Sequence, residues 1–353
     1  MPKIRIREKD MTVALDYAEG DDIVFLTDSG ADATPELLVR GSTTSGYTKK
    51  TTIDKILMLG GKVLVCDTYE HAKGYLKDRN QFDVKFLLAN EVTGEGELSA
   101  ALEIATARRD CQVVYSKTNK TYSSAETTLL DDDLEVSGDA FLSAETGKAG
   151  KYCLPFVANT LTGCDDAGTG YILAYLWSKA QGNPEWLAVA GSKRGAIPEE
   201  TDCGFLTESE IDSMQPTVGA AHSINPIVKM NPWGVRIWGN RTACPLEANK
   251  GLQASHFANI RVLCSKIKKA LYKSARENQF EQNTDVLWVN FKTPVNSLLE
   301  QMVQTYGIAG YRWEREQTSE RAKLKATLKI VPIEPVEDFD LTLELTDSLE
   351  VIE

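Results

Sequence analysis

Between residues 20 and 190, short apolar runs rich in Val, Ile, Leu and Phe alternate with helical stretches, and this alternation constrains the fold more than any other feature. Strands separated by helices imply βαβ units and a mostly parallel sheet, since two parallel strands can be joined only by a crossover long enough to hold a helix. The pattern predicts strands at 23–26, 62–67, 82–89, 113–115 and 186–190, and helices at 53–59, 98–109 and 169–181. Stop signals fall between them. Asp28-Ser29-Gly30 reads as a turn and Gly60-Gly61 as a helix stop. At Gly182-Asn183-Pro184 the proline forbids continuation of the third helix. The segment 40–52 reads as a Gly/Ser/Thr-rich linker, 131–150 as a surface loop, 191–195 as a tight polar turn and 206–214 as a short helix. The expected class is therefore α/β over the first two thirds of the chain.

A second, smaller α+β unit is expected from about residue 223. It reads as a strand at 233–238, a turn at 239–242, helices at 257–277 and 295–306, and a strand at 324–331. The helix at 257–277 has the clearest period in the chain. Ile260, Leu263, Cys264, Ile267 and Leu271 share one face, and Lys266, Lys269, Lys273 and Arg276 fall opposite, which predicts an exposed basic stripe. Gly307 stands where a C-terminal glycine cap would end the helix at 295–306.

Both ends of the chain alternate as half-exposed strands do, and they carry opposite charge. Ile4 and Ile6 alternate with Lys3, Arg5 and Arg7, whereas Phe339, Leu341, Leu343 and Leu345 alternate with Asp340, Thr342, Glu344 and Thr346. From residue 332 to 353 there are eight acidic side chains and no basic one. Exposed strand edges recruit other chains, so two long terminal strands of opposite sign point to strand exchange between copies. Pairing of the two ends within one subunit, or two ordinary edge strands, also satisfies the pattern.

At 353 residues the chain exceeds the size at which one hydrophobic core stops growing, so two domains plus arms are expected. A net charge of −12 disfavours nonspecific nucleic-acid binding, which draws on a basic surface. The seven cysteines show neither CxxC spacing nor a disulfide framework, so reduced, buried thiols are expected. No apolar run approaches the ~20 residues needed to span a bilayer and the start lacks a signal-peptide pattern, so folding in the cytosol is expected.

Motifs for catalysis are weak. Gly94-Glu95-Gly96 resembles a dinucleotide loop, but Ser99 stands at the third glycine position and a glutamate would face the pyrophosphate. Gly191-Ser192-Lys193-Arg194-Gly195 matches neither a nucleophile elbow nor a phosphate-binding loop. His71, His222 and His256 have no metal-ligand spacing. The residues give no catalytic, cofactor-binding or metal assignment.

From Glu185 onward the sequence resembles the contractile tail sheath proteins of phages and phage-tail-like bacteriocins. The resemblance rests on the Trp186 to Gly195 run Trp-Leu-Ala-Val-Ala-Gly-Ser-Lys-Arg-Gly, the helix start after Leu206, and Ile224-Asn225-Pro226. It continues with Gly234-Val-Arg-Ile-Trp-Gly-Asn-Arg-Thr242, the 260–275 helix with its hallmark Arg261, Trp288-Val-Asn290 and the turn from Gly307 to Gly310. The first half matches by arrangement only, at Gly60-Gly61 and the Ala-rich helix leading to Arg108-Arg109-Asp110.

The resemblance implies a subtilisin-like α/β topology without proteolysis, and a C-terminal domain gripping an inner tube. It implies arms that reach neighbouring subunits: an N-terminal arm 1–19, an α/β domain 20–222, a tube-gripping domain 223–331 and an acidic arm 332–353. The implied function is structural, a subunit that polymerises helically around a tail tube and contracts. Its implied partners are itself, the tube protein, and baseplate and terminator proteins, without nucleic acid or membrane. Assembly in the host cytoplasm and residence in a virion tail or bacteriocin particle follow. Under this reading Lys266, Lys269, Lys273 and Arg276 face the tube, although a merely solvated helix face fits the same pattern. The alternative from another class is a cytosolic α/β enzyme using a nucleotide at the carboxyl ends of its strands.

Overall fold

The computed structural model describes residues 22–79, 81–90, 97–116, 149–158, 161–198, 202–215, 223–246, 251–316 and 323–337. The expected terminal strands, the Gly94-Glu95-Gly96 loop and His222 lie outside the described residues.

Among the described residues, eight strands form one sheet in the order β2-β3-β1-β4-β5-β6-β7-β8. They are β1 (Ile23–Thr27), β2 (Glu36–Leu38), β3 (Lys62–Cys66), β4 (Val84–Asn90), β5 (Gln112–Ser116), β6 (Cys153–Ala158), β7 (Asn225–Met230) and β8 (Gly234–Ile237). Pairing is parallel from β3 through β7, while β2 and β8 close the two edges antiparallel. The central strands are apolar throughout because helices cover both faces. The two-residue alternation still decides which face each side chain enters. Val24, Leu26, Val63 and Val65 meet α1 (Lys50–Met58) and α4 (Ala167–Ala180) on one side. Ile23, Phe25, Leu64 and Leu87 meet α2 (Tyr69–Lys77) and α3 (Glu97–Arg108) on the other. The alanines of α3 sit in that second layer, where short side chains let helix and sheet approach closely: Ala101 and Ala105 are fully buried.

Gly60-Gly61 ends α1 as expected. Gly60 takes a left-handed φ of 86°, and the amides of Gly60 and Gly61 donate to Leu57 O and Ile56 O, a Schellman closure. Gly61 is further required by space, since a Cβ there would come within 2.7 Å of Ile56 Cγ2.

β8, which falls within the strand expected at 233–238, and β7, a strand that was not expected, extend the large sheet. β6 was not expected at all. Both β6 and β7 contain a proline, Pro155 and Pro226, and proline removes a ladder donor, so neither run reads as a central strand. The structure compensates through Asn225, which is fully buried and whose Nδ2 donates to Pro155 O at 2.9 Å and Arg241 O at 2.7 Å. The strand expected at 186–190 is irregular backbone that leads into a one-turn helix, α5 (Gly191–Arg194). A further short helix, α6 (Glu208–Met214), opens with a Thr207/Glu210 capping box.

The remaining elements form a smaller layer: α7 (Ala258–Glu277), α8 (Asp285–Gln304), and the antiparallel ribbon of β9 (Ile308–Glu316) and β10 (Lys325–Pro332). Helix α8 begins ten residues before the expected 295, because Thr284 caps it and Pro294 is accommodated inside it. Its end is also a Schellman closure, in which Tyr306 and not Gly307 holds the left-handed position, at φ 60°. Gly307 serves a different need: a Cβ there would lie 2.5 Å from Trp186 Cδ1.

Candidate functional site

The features with functional bearing lie in the smaller layer and where it joins the sheet. Trp186 is the hinge pin of this junction. It is 4% exposed and packs with Leu263, Ile267, Val295, Leu299, Met302 and Ile308, its Nε1 donating to Thr305 Oγ1 at 3.0 Å. Asn259 Nδ2 donates to Trp186 O at 3.1 Å. The irregular path of 186–190 thus inserts its first residue into the second core and its Val189 into the first.

Beside Trp186 lies a buried ionic network. Lys85 on β4 contacts Asp22 at 3.2 Å and Glu185, and Tyr175 adds its hydroxyl, 2.9 Å from Glu185 Oε2. Lys179 of α4 reaches Asp22, and Lys266 of α7 reaches Glu185 at 3.0 Å. Burial alone would push the Glu185 carboxyl upward, but Lys85 and Lys266 overcome it and hold the group well below the usual carboxylate range. Burial would likewise lower Lys85, and the attraction of Glu185, Tyr175 and Asp22 raises it instead. Sheet, α4 and α7 are therefore tied by ion pairs centred on Lys85 and Glu185.

This network corrects the expected basic stripe. Lys266 is turned into the body by Glu185, and Lys269 by Asp83 and the Val84 carbonyl, 3.1 Å away. Both are half-buried. Only Lys273 and Arg276 of the four are exposed, with Lys273 4.0 Å from Glu277 and Arg276 over the Tyr272 ring. Helical periodicity places all four on one face; it does not reveal that Glu185 and the amino-terminal end of β4 cover the first part of that face.

The β9-β10 ribbon has one face packed and both edges open among the described residues. Tyr311, Trp313, Leu328 and Ile330 pack toward the helices, while Lys325, Thr327 and Lys329 pair across with Glu314 and Glu316 on the outer face. The amino-terminal half of α8 leaves Val286 and Val289 exposed, and Phe280 before it is 96% exposed. Beyond β10, Glu337 is held by the buried Arg241, whose Nε donates at 2.7 Å. Sequence reasoning missed this anchor; the acidic run signalled one partner but not the position of the other.

At the carboxyl ends of the parallel strands, where a nucleotide enzyme would place its site, the carboxylates serve the backbone. Asp28 accepts from the amides of Gly30, Thr48 and Lys49. Asp166 caps α4 through Thr169 N and also accepts from Ser116 and Asn90. His71 pairs with Asp67 on the surface at 2.8 Å, and His256 is buried against Gln253 and Pro245. Burial pushes the thiols of Cys111 and Cys153 up to about 12. Gly195 in the Gly191 to Gly195 turn packs on the Ile237 carbonyl, leaving 2.6 Å for a Cβ. Among the described residues no group of His, Cys, Asp and Glu could hold a metal, and no helix is long and apolar enough to cross a membrane.

No family model matches the sequence, and no curated protein matches it. Solved structures do. The chain resembles one from the sheath complex of an extracellular contractile injection system, PVC, in the contracted state, with a TM-score of 0.66 at 12% identity over 99% of this chain and 98% of that one. It resembles a chain of the anti-feeding prophage baseplate at TM-score 0.64, 14% identity, covering 93% and 94% of the two chains. A crystal structure of a sheath tail protein from Desulfitobacterium hafniense aligns at TM-score 0.55, 8% identity, over 94% of this chain and all of that one. Over its described residues, this chain has the fold of contractile sheath proteins.

Proposed function

We propose that this protein is the structural subunit of a contractile tail sheath, polymerising helically around a tail tube and shortening on triggering. One observation carries the reading: the shared fold spans nearly the whole chain and nearly the whole of each chain it matches. The strand order 2-3-1-4-5-6-7 with a closing β8 is, under this reading, a version of the subtilisin-like topology the resemblance implies.

The open edges of the β9-β10 ribbon are suited to strand addition. In the proposed assembly, the basic arm carrying Ile4, Arg5, Ile6 and Arg7 and the acidic arm carrying Phe339, Asp340, Leu341, Leu343, Glu344 and Leu345 come from neighbouring copies and complete that ribbon. The tube contact is assigned to the outer part of the small layer, with Lys273 and Arg276 as its basic members. Contraction is then a rigid-body rearrangement of subunits whose interfaces repack while the arms stay linked. The tube, baseplate and terminator proteins complete the partners, with assembly in the host cytoplasm. Negative-stain electron microscopy of the purified chain tests the reading. Hollow helical tubes or stacked rings support it, and discrete small oligomers at all concentrations overturn it.

A further inference from the structure

Two buried guanidinium groups lie at the amino-terminal part of α7: Arg241, in the segment between β8 and the helix, and Arg261, on the helix itself. Arg241 lies over the Phe257 ring, 5.4 Å from its centroid, and Glu337 satisfies its Nε and Nη2, leaving Nη1 alone without an acceptor. Arg261, one helical turn beyond Phe257, lies over the Tyr152 ring at 5.2 Å, is 8% exposed, and has no acceptor for either Nε or Nη2. A buried N–H without a partner costs about 1–3 kcal/mol, and native proteins seldom leave one so.

The surroundings of Arg261 add positive charge. Lys268 and Lys151 stand over the same Tyr152 ring, at 5.5 and 5.4 Å. Arg109 takes a left-handed φ of 64° and presents its carbonyl to Lys268 Nζ at 2.7 Å. Asp110, the carboxylate at hand, is buried and already held by Arg108, whose Nε donates at 2.9 Å. Three cations, Lys151 from the turn before β6 and Arg261 and Lys268 from α7, thus stand over one aromatic ring, and the charge of Arg109, which follows α3, also acts on it, on a protein of net charge −12.

We propose that Arg261, Lys268, Lys151 and Arg109 form a carboxylate socket, and that its ligand is a side chain of the acidic run 338–353 of this chain. The filled Arg241 socket supplies the precedent for the mode of binding, and the sequence supplies the ligand: the run continues from Glu337 with acidic residues and no basic one to the end. Entry requires the flexible Lys268 and Lys151 stems to move aside, after which their ammonium groups follow the carboxylate. The Lys268 amine is pushed down to about 8 by burial and by Arg261, so an arriving anion relieves repulsion already present. The socket is separate from strand addition at the β9-β10 ribbon and stands whether or not the chain forms a contractile sheath.

Zero-length carbodiimide cross-linking of the full chain, read by mass spectrometry, tests this. The expected products join Lys268 or Lys151 to carboxylates within 338–353, and Arg261→Met lowers their yield at least tenfold relative to the Lys329 to Glu314 link, an ion pair at 2.8 Å that serves as internal standard. Neutralising Asp338, Asp340, Glu344, Asp347, Glu350 and Glu353 to the amides changes none of the described residues and should abolish the same side-chain products. Mixing isotope-labelled and unlabelled chains reads whether the carboxylate comes from the same copy or a neighbour, and either result supports the socket. Products from Lys268 and Lys151 confined to carboxylates outside 338–353, or yields unchanged in both variants, overturn it.

Discussion

Glu185 concentrates much of the molecule's electrostatic commitment, since two buried lysine contacts and a tyrosine hydroxyl depend on it. Removing one partner of a buried ion pair leaves the other uncompensated, which costs about 3–5 kcal/mol. Glu185→Gln should therefore lower stability by that amount in urea denaturation, more than any exposed pair such as Lys273 with Glu277, where the effect is under about 1 kcal/mol. The pH dependence follows from the directions of the shifts. Glu185 is held below its ordinary value, so its contribution is complete above about pH 5 and fades only as the solution falls toward its folded value. Lys85 is raised, so its contribution is complete below about pH 10 and fades only above that. The urea midpoint should show no loss from this network between about pH 5 and 10. A second residue-scale test concerns Tyr306, a non-glycine residue in left-handed conformation whose side chain is 75% exposed. Tyr306→Gly should raise stability by up to about 1 kcal/mol, because a left-handed L-residue costs about 1–2 kcal/mol and glycine gives back part of that gain as chain entropy. Gly307→Ala, pressed against Trp186, should lower it.

Elements differ in how legible they were from sequence. Strands β1, β3, β4 and β5 and helices α1, α3, α4 and α7 are readable because apolar period and glycine stops agree with burial. β6 and β7 are not, since Pro155 and Pro226 argue locally against a central strand, and the compensating bond from Asn225 of β7 to the Pro155 carbonyl of β6 is a long-range contact that local pattern does not show. Helix α8 extends ten residues further toward the amino terminus than the expected 295–306, and Pro294 lies inside it. Of the candidate tube-facing set, period identified the face but not its coverage. Lys269→Glu should therefore destabilise the isolated chain, because it brings a carboxylate against Asp83 and the Val84 carbonyl. Lys273→Glu with Arg276→Glu should leave thermal stability nearly unchanged while producing sheaths that form without a tube or contract early. Tube-loaded, extended particles from that double variant would remove these two residues from the tube contact.

At the scale of the whole molecule, the fold is shared with chains of these solved structures at 8–14% identity, so it persists with little sequence in common. The terminal strands, legible in sequence by alternation and charge, lie outside the described residues and enter the account as proposed connectors. Deleting residues 1–9 or 339–353 should leave a folded subunit that fails to build long linked sheaths, checked by circular dichroism and electron microscopy together. Arg5 and Arg7 reversed to Glu should weaken assembly, and simultaneous reversal of Asp340 and Glu344 to Lys should restore part of it, each cross-strand pair contributing about 0.2–1 kcal/mol per subunit. The most direct measurement images particles built from this chain around a tube, before and after a contraction trigger such as acid or denaturant. The account predicts a helical sheath that becomes shorter and wider while each subunit keeps its internal fold. A sheath of constant length after triggering, or a chain that never encloses a tube, would contradict it.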